Sequence, residues 1–335
     1  MALISAKETM SDLHQPAAGI PPEGVEQDFI DPYSRAPMVV GFCIALIILT
    51  VPSVATRMYV RIRITKNVGL DDWVALLGAI LVVTFTGYSI WIFSLPGNGP
   101  HSWNIPLSVY TAPESKYFLR MLFTQILYPI SSYVVKLSLL LFYGRTFVTG
   151  AGNQMAKGFI YYGVAVLTIV YGVFIILSLA FCAPDPNLTD ENGACWKKGG
   201  PVSWLLSATN IISDLYILAI PVVIVYGLNM SVQKKLGAIA ILMMGLIATV
   251  VSILSLKYRQ RIATQNDISW DMVPSAICSL VEVNLGVICC CLPALAIFFK
   301  STKSAVSRKG SNFANIRAHK QIPEVPESLT GVRVT

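Results

Sequence analysis

Charge is scarce in this chain. Only 13% of its 335 residues are Asp, Glu, Lys or Arg, about half the share of a soluble domain. Histidine is scarcer still, at three residues. No Cys/His spacing of a zinc site, no glycine-rich phosphate loop and no nucleic-acid motif occurs. The first 35 residues hold no apolar stretch of the kind a cleavable signal peptide needs. Their polar character and their prolines, Pro16, Pro21, Pro22 and Pro32, suggest a disordered lead. What the chain does have is apolar surface: 54% hydrophobic residues and a mean hydropathy of +0.63. The net charge of +7 lies mostly between apolar runs, which suits lipid headgroups and gives no reason to expect a nucleic-acid partner.

Seven runs follow one another: Pro37–Tyr59, Asp72–Leu95, Tyr117–Phe147, Gly158–Phe181, Val202–Leu228, Leu236–Lys257 and Met272–Phe299. About 20 apolar residues span a bilayer as helix, and backbone in lipid must pair within its own segment. The expectation is an all-α, multi-pass bundle of seven transmembrane helices over residues 36–300, in a plasma membrane or an endomembrane. Residues 301–335, basic and without a sustained apolar pattern, read as a disordered tail.

Orientation follows the cations. With the N-terminus outside and the C-terminus cytoplasmic, Arg57, Arg61, Arg63 and Lys66, then Arg145 with Lys157, then Lys234 with Lys235, fall inside. Lys197, Lys198, Lys257, Arg259 and Arg261 run against the rule. Asn187-Leu188-Thr189 is a glycosylation sequon on the outer side in this orientation, whereas the sequon at Asn229 falls inside. Cys182 and Cys195 flank that outer loop, either as a disulfide or as two free thiols. Tyr88, Trp91 and Trp103 fit an aromatic belt at the outer boundary.

Three charges lie deep in apolar runs: Lys136, Asp214 and Glu282. Charges at such depth are costly and face a bundle interior or one another. Two readings remain open: a structural salt bridge of Lys136 with either acid, or a ligand pocket, proton relay or catalytic pair. Asp71 and Asp72 suit the start of the second helix as caps, in contact with Arg61 or Arg63. His101 reads as part of a turn with Gly97, Gly99 and Pro100, since a lone histidine makes a poor metal site.

Several of these pieces, taken in order, carry a resemblance. They are Arg57-x-Tyr59-x-Arg61, Leu70-Asp71-Asp72-Trp73, Gly97-x-Gly99-x-His101, Lys136-Leu137-Ser138 and Phe142-Tyr143-x-Arg145. Cys182-x-Pro184 with Cys195, Asp214 with Pro221, Asp267 with Trp270, and Glu282, Gly286, Cys291 and Pro293 continue the series. The chain thereby resembles the fungal rhodopsin-domain family of seven-helix membrane proteins, whose members include satratoxin-cluster-type and pathogenicity-receptor-like proteins. Two positions depart from the family pattern. Ser255 stands where members carry an arginine near the outer end of the sixth helix, and no tryptophan lies between the loop cysteines.

The resemblance implies a receptor-like protein that binds a small molecule within the bundle and has a cytoplasmic signalling partner. The alternative it implies is a membrane-embedded enzyme or accessory protein of a secondary-metabolite pathway. A transporter is less favoured, because no internal repeat is evident. No cofactor is expected. Retinal in particular needs a lysine in the last helix, and Met272–Phe299 has none.

Overall fold

A computed structural model describes residues 16–111, 116–147, 154–182, 194–227, 232–264 and 267–320. Seven long helices dominate it: α1 Ala36–Tyr59, α2 Leu70–Phe93, α3 Tyr117–Phe147, α4 Gln154–Cys182, α5 Ala194–Gly227, α6 Val232–Thr264 and α7 Ile268–Lys320. Each contains a stretch long and apolar enough to cross a membrane. The chain is a multi-pass integral membrane protein.

The bundle is inverted relative to a soluble core. Ile48, Ile80, Tyr161, Ile169, Ile176 and Ile212 are exposed, while Thr50, Ser131, Ser138, Asn210 and Asn284 are almost fully buried. Hydrocarbon offers no hydrogen bonds, so polar side chains turn inward or bond their own helix. Thr86 donates to the Val82 carbonyl and Ser131 to that of Leu127. Asn284 of α7 accepts from Thr50 of α1 (2.7 Å) and donates to Thr86 of α2 (3.1 Å), joining three helices by one side chain.

Sequential helices pack as neighbours, and α7 closes the ring against α1. α3 also touches α5 and α7, and its membrane span is 72% buried. It is the axis of the bundle. Gly286 permits the α3–α7 approach, since a Cβ there would meet Val135 Cγ1 at 2.7 Å.

The described residues that flank the bundle, 16–35 and 301–320, carry structure of their own. Within the lead, residues 16–35 are bonded to the loop after α2: Ala18 N–H donates to the Ile105 carbonyl and Leu107 N–H to that of Pro16. Gly97 and Gly99, with φ of 90° and 105°, make the expected turn beneath this strap. At the other end α7 continues as helix to Lys320, beyond the expected limit at residue 300. No proline occurs between Pro293 and Pro323, so no strong breaker interrupts it.

Candidate functional site

α3 carries Tyr128, Ser132 and Lys136 at four-residue spacing, which places them on one face. That face looks toward α5 and α7. Lys136, 5% exposed, pairs with Asp214 Oδ1 of α5 at 2.7 Å. Its ammonium also reaches Asn210 Oδ1 and Ser213 Oγ, each at 2.6 Å, and the Asn210 carbonyl at 3.1 Å. Asp214 Oδ2 accepts from Ser252 of α6 at 2.8 Å. Of the two acids expected as partners, the structure brings only Asp214 into direct contact with the lysine.

Glu282 enters through Asn210. The Asn210 amide donates to Glu282 Oε1 at 2.7 Å, and Tyr128 donates to both carboxylate oxygens at 3.2 Å. Asn210 Oδ1 accepts in addition from Tyr171 of α4 (2.7 Å) and Ser132 (3.1 Å). One asparagine thus ties α3, α4, α5 and α7 together. Above Tyr128, the Arg259 guanidinium of α6 lies 5.1 Å from the ring centroid and donates to Ser203 and Ser279. Polar contact therefore runs unbroken from Arg259 down to Asp214.

A cavity of about 50 Å³ borders this network, lined by Lys136, Asp214, Glu282, Met244, Gly245 and other side chains of α3, α5, α6 and α7. On this measure a water needs roughly 10–15 Å³, so there is room for a few waters or one polar head group.

Two further clusters seal the ends. At the end away from the N-terminus, Arg57, 1% exposed, reaches Asp71 Oδ2 (3.0 Å), Asp72 Oδ1 (2.8 Å) and the Cys290 carbonyl of α7. Arg145 reaches Asp71 Oδ1 at 2.6 Å and Arg61 lies 3.1 Å from Asp72 Oδ1. Asp72 Oδ2 accepts from Gly69 N–H at 3.0 Å, which is the expected cap. Arg63 has no contact with the acids among the described residues; Arg57 and Arg145 take its place.

At the N-terminal end His101 meets Asp267 Oδ2 at 2.5 Å, and Ser102 donates to Asp267 Oδ1. The His101 ring is stacked between Trp103 and Trp270, with Arg35 over Trp270. Trp103 is thereby engaged with the loop histidine. Nearby, burial pushes the Tyr110 phenol up to about 12. It stays protonated at neutral pH and donates to the Gly97 carbonyl.

The fungal rhodopsin domain matches residues 56–301. The chain belongs to that family. A SAT4 family membrane protein of Emericella nidulans is 31% identical over 53% of this chain, a match that spans 44% of that relative's own length. Receptor GIN3 of Arthrobotrys oligospora is 25% identical over 88% of the chain and 72% of its own. Fugralins biosynthesis cluster protein 2 of Gibberella zeae is 22% identical over 87% of the chain and 72% of its own. No solved structure matches.

As a member of the fungal rhodopsin-domain family, the chain gathers the charged residues of its described motifs into these three clusters. Ser255 is buried, and the cation on this stretch of α6 that reaches the network is Arg259, one turn later. Sequence reasoning missed Tyr128, Asn210 and Arg259. Asn210 sits four residues before Asp214 and Tyr128 eight before Lys136, so same-face spacing was the available signal. The apolar run Leu236–Lys257 stops short of Arg259, whereas α6 runs on to Thr264. Cys182 and Cys195, as side chains, and Asn187 lie outside what the structure describes.

Proposed function

We propose that this protein is receptor-like and binds a small molecule at the polar centre of its bundle. The observation that carries the reading is the cavity itself. A salt bridge kept only for architecture needs no space beside it, yet Lys136, Asp214 and Glu282 all border one. The receptor among the relatives, aligned over 88% of this chain, supports the same view. The Lys/Arg bias supports an N-terminus outside, which puts the Arg57–Asp72 cluster beside a cytoplasmic signalling partner. In that orientation Asn187 carries a glycan and Asn229 does not. An endoglycosidase mobility shift abolished by Asn187→Gln is expected, and a shift abolished only by Asn229→Gln overturns the orientation.

A second reading is favoured by the biosynthesis-cluster relative: a membrane-embedded enzyme or accessory protein, with Glu282 as general acid beside Tyr128. Deleting the gene and comparing extracted metabolites separates the two. Sensing leaves the profile unchanged or lowers all products together. Loss of one product with accumulation of its precursor contradicts the receptor reading and selects the pathway.

A further inference from the structure

Both ends of the bundle are closed over the described residues. The strap of residues 16–35, the loop at 97–107 and the His101–Trp270 stack roof one end. The Arg57–Asp71–Asp72–Arg145 cluster plugs the other. The flank of the cavity is different. Asp214, Leu218, Met244, Gly245 and Ala248 of α5 and α6 line it while only partly buried. Leu215, Met243, Leu246 and Ile247 on the same turns are exposed, in a region that faces hydrocarbon. At this level Leu218 packs onto the α6 backbone, 2.6 Å from where a Cβ on Gly245 would stand, so the side chain that closes the flank is the flexible end of one leucine, which must swing aside for entry.

Hydrogen-bond accounting says what such a portal admits. An ammonium has three donors, and those of Lys136 are taken up by Asp214, Asn210 and Ser213. Lys136 therefore has no donor left for an anion. Among the described residues each Asp214 oxygen has a single contact, to Lys136 or to Ser252, whereas a carboxylate can accept about four bonds. Glu282 adds a second carboxylate to the wall. The wall is rich in acceptors and its cation is spent. It disfavours an acid, and the charge of Asp214 is already met, so a neutral donor suffices.

We propose that the cavity receives the hydroxyl head of a lipophilic alcohol that comes from the bilayer between α5 and α6 and donates to Asp214. This rests on the small-molecule reading above and gives it a ligand class and a route. The cavity's size suits a head group, with the apolar body remaining against Leu218 and Met244.

The test uses the full chain in phosphatidylcholine nanodiscs, with unfolding temperature as the readout for 1-dodecanol, dodecane and dodecanoate. The native chain is stabilised by dodecanol and not by the other two. Ala248→Leu, which fills the portal and removes no polar group, weakens the apparent dodecanol affinity by about tenfold or more, the scale of one lost hydrogen bond with its packing. Met244→Phe is the second portal variant if Ala248→Leu folds poorly. The matched pair Lys136→Met with Asp214→Leu abolishes the effect. Discs containing a sterol distinguish the source: stabilisation by sterol alone, lost in the portal variant, assigns the site to a resident lipid, and response to the free alcohol only assigns it to an incoming molecule. Equal stabilisation by dodecane overturns the proposal, as does an undiminished dodecanol response in both portal variants. If the portal variants respond normally and the paired variant does not, the route fails while the binding-site reading stands.

Discussion

Lys136 shows how a single residue can be too costly to keep without partners. A charge in hydrocarbon costs at least a few kcal/mol, and here four contacts on α5 surround the ammonium. Removing one member of a buried pair leaves the other uncompensated, at a cost of roughly 3–5 kcal/mol, whereas replacing both by apolar groups is often near neutral. Lys136→Met and Asp214→Leu are therefore each strongly destabilising, and the double variant recovers much of the loss. Thermal unfolding of the four proteins of this cycle measures the coupling, predicted at about 2 kcal/mol or more. Purely additive effects sink the ion pair. Lys136 and two acids that could meet it were legible in the sequence because few charges occur in the apolar runs, but the choice of Asp214 over Glu282 was not. Asn210 was not, because neutral polar residues are common in such helices and only their partners distinguish a hub from an isolated side chain.

Helices were the most legible level, since a bilayer imposes both length and composition on every crossing. Their limits were less so. α6 extends past Lys257 and α7 past Lys300 because polar residues continue a helix readily where no proline intervenes. Packing between helices leaves a weaker trace in sequence, and glycines show why. A Cβ on Gly163 of α4 would lie 2.6 Å from the Tyr216 ring of α5, while one on Gly172 meets nothing within 4 Å. Tyr216 is held by its bond to the Phe159 carbonyl at 2.5 Å, so the ring cannot easily withdraw. Gly163→Ala should destabilise by roughly 1–3 kcal/mol, the usual cost of overpacking. Gly172→Ala should be neutral or stabilising by up to about 1 kcal/mol, from helix propensity. Equal melting temperatures for the two variants would show that α4 and α5 are not in this contact.

At the scale of the whole molecule, three polar clusters are stacked along a bundle whose exterior is apolar. The strap and the His101–Asp267 contact hold one end, the Arg57–Asp71–Asp72 cluster holds the other, and the Lys136–Asp214–Glu282 network lies between them beside a cavity. Order along the chain gave no hint that residues 16–35 dock on the loop after α2, since their composition resembles that of a free lead. The family, in contrast, was readable from the order of its motifs along the chain, and the charged residues of those motifs form these clusters. The most direct measurement is capture of a ligand. The native protein and the Lys136→Met/Asp214→Leu double variant, both in nanodiscs, are incubated with a lipid extract of the host culture, washed, and analysed by mass spectrometry for retained small molecules. A compound retained unchanged by the native chain and absent from the folded double variant is the predicted result; equal retention by both, or none by either, contradicts a ligand site at the centre of the bundle.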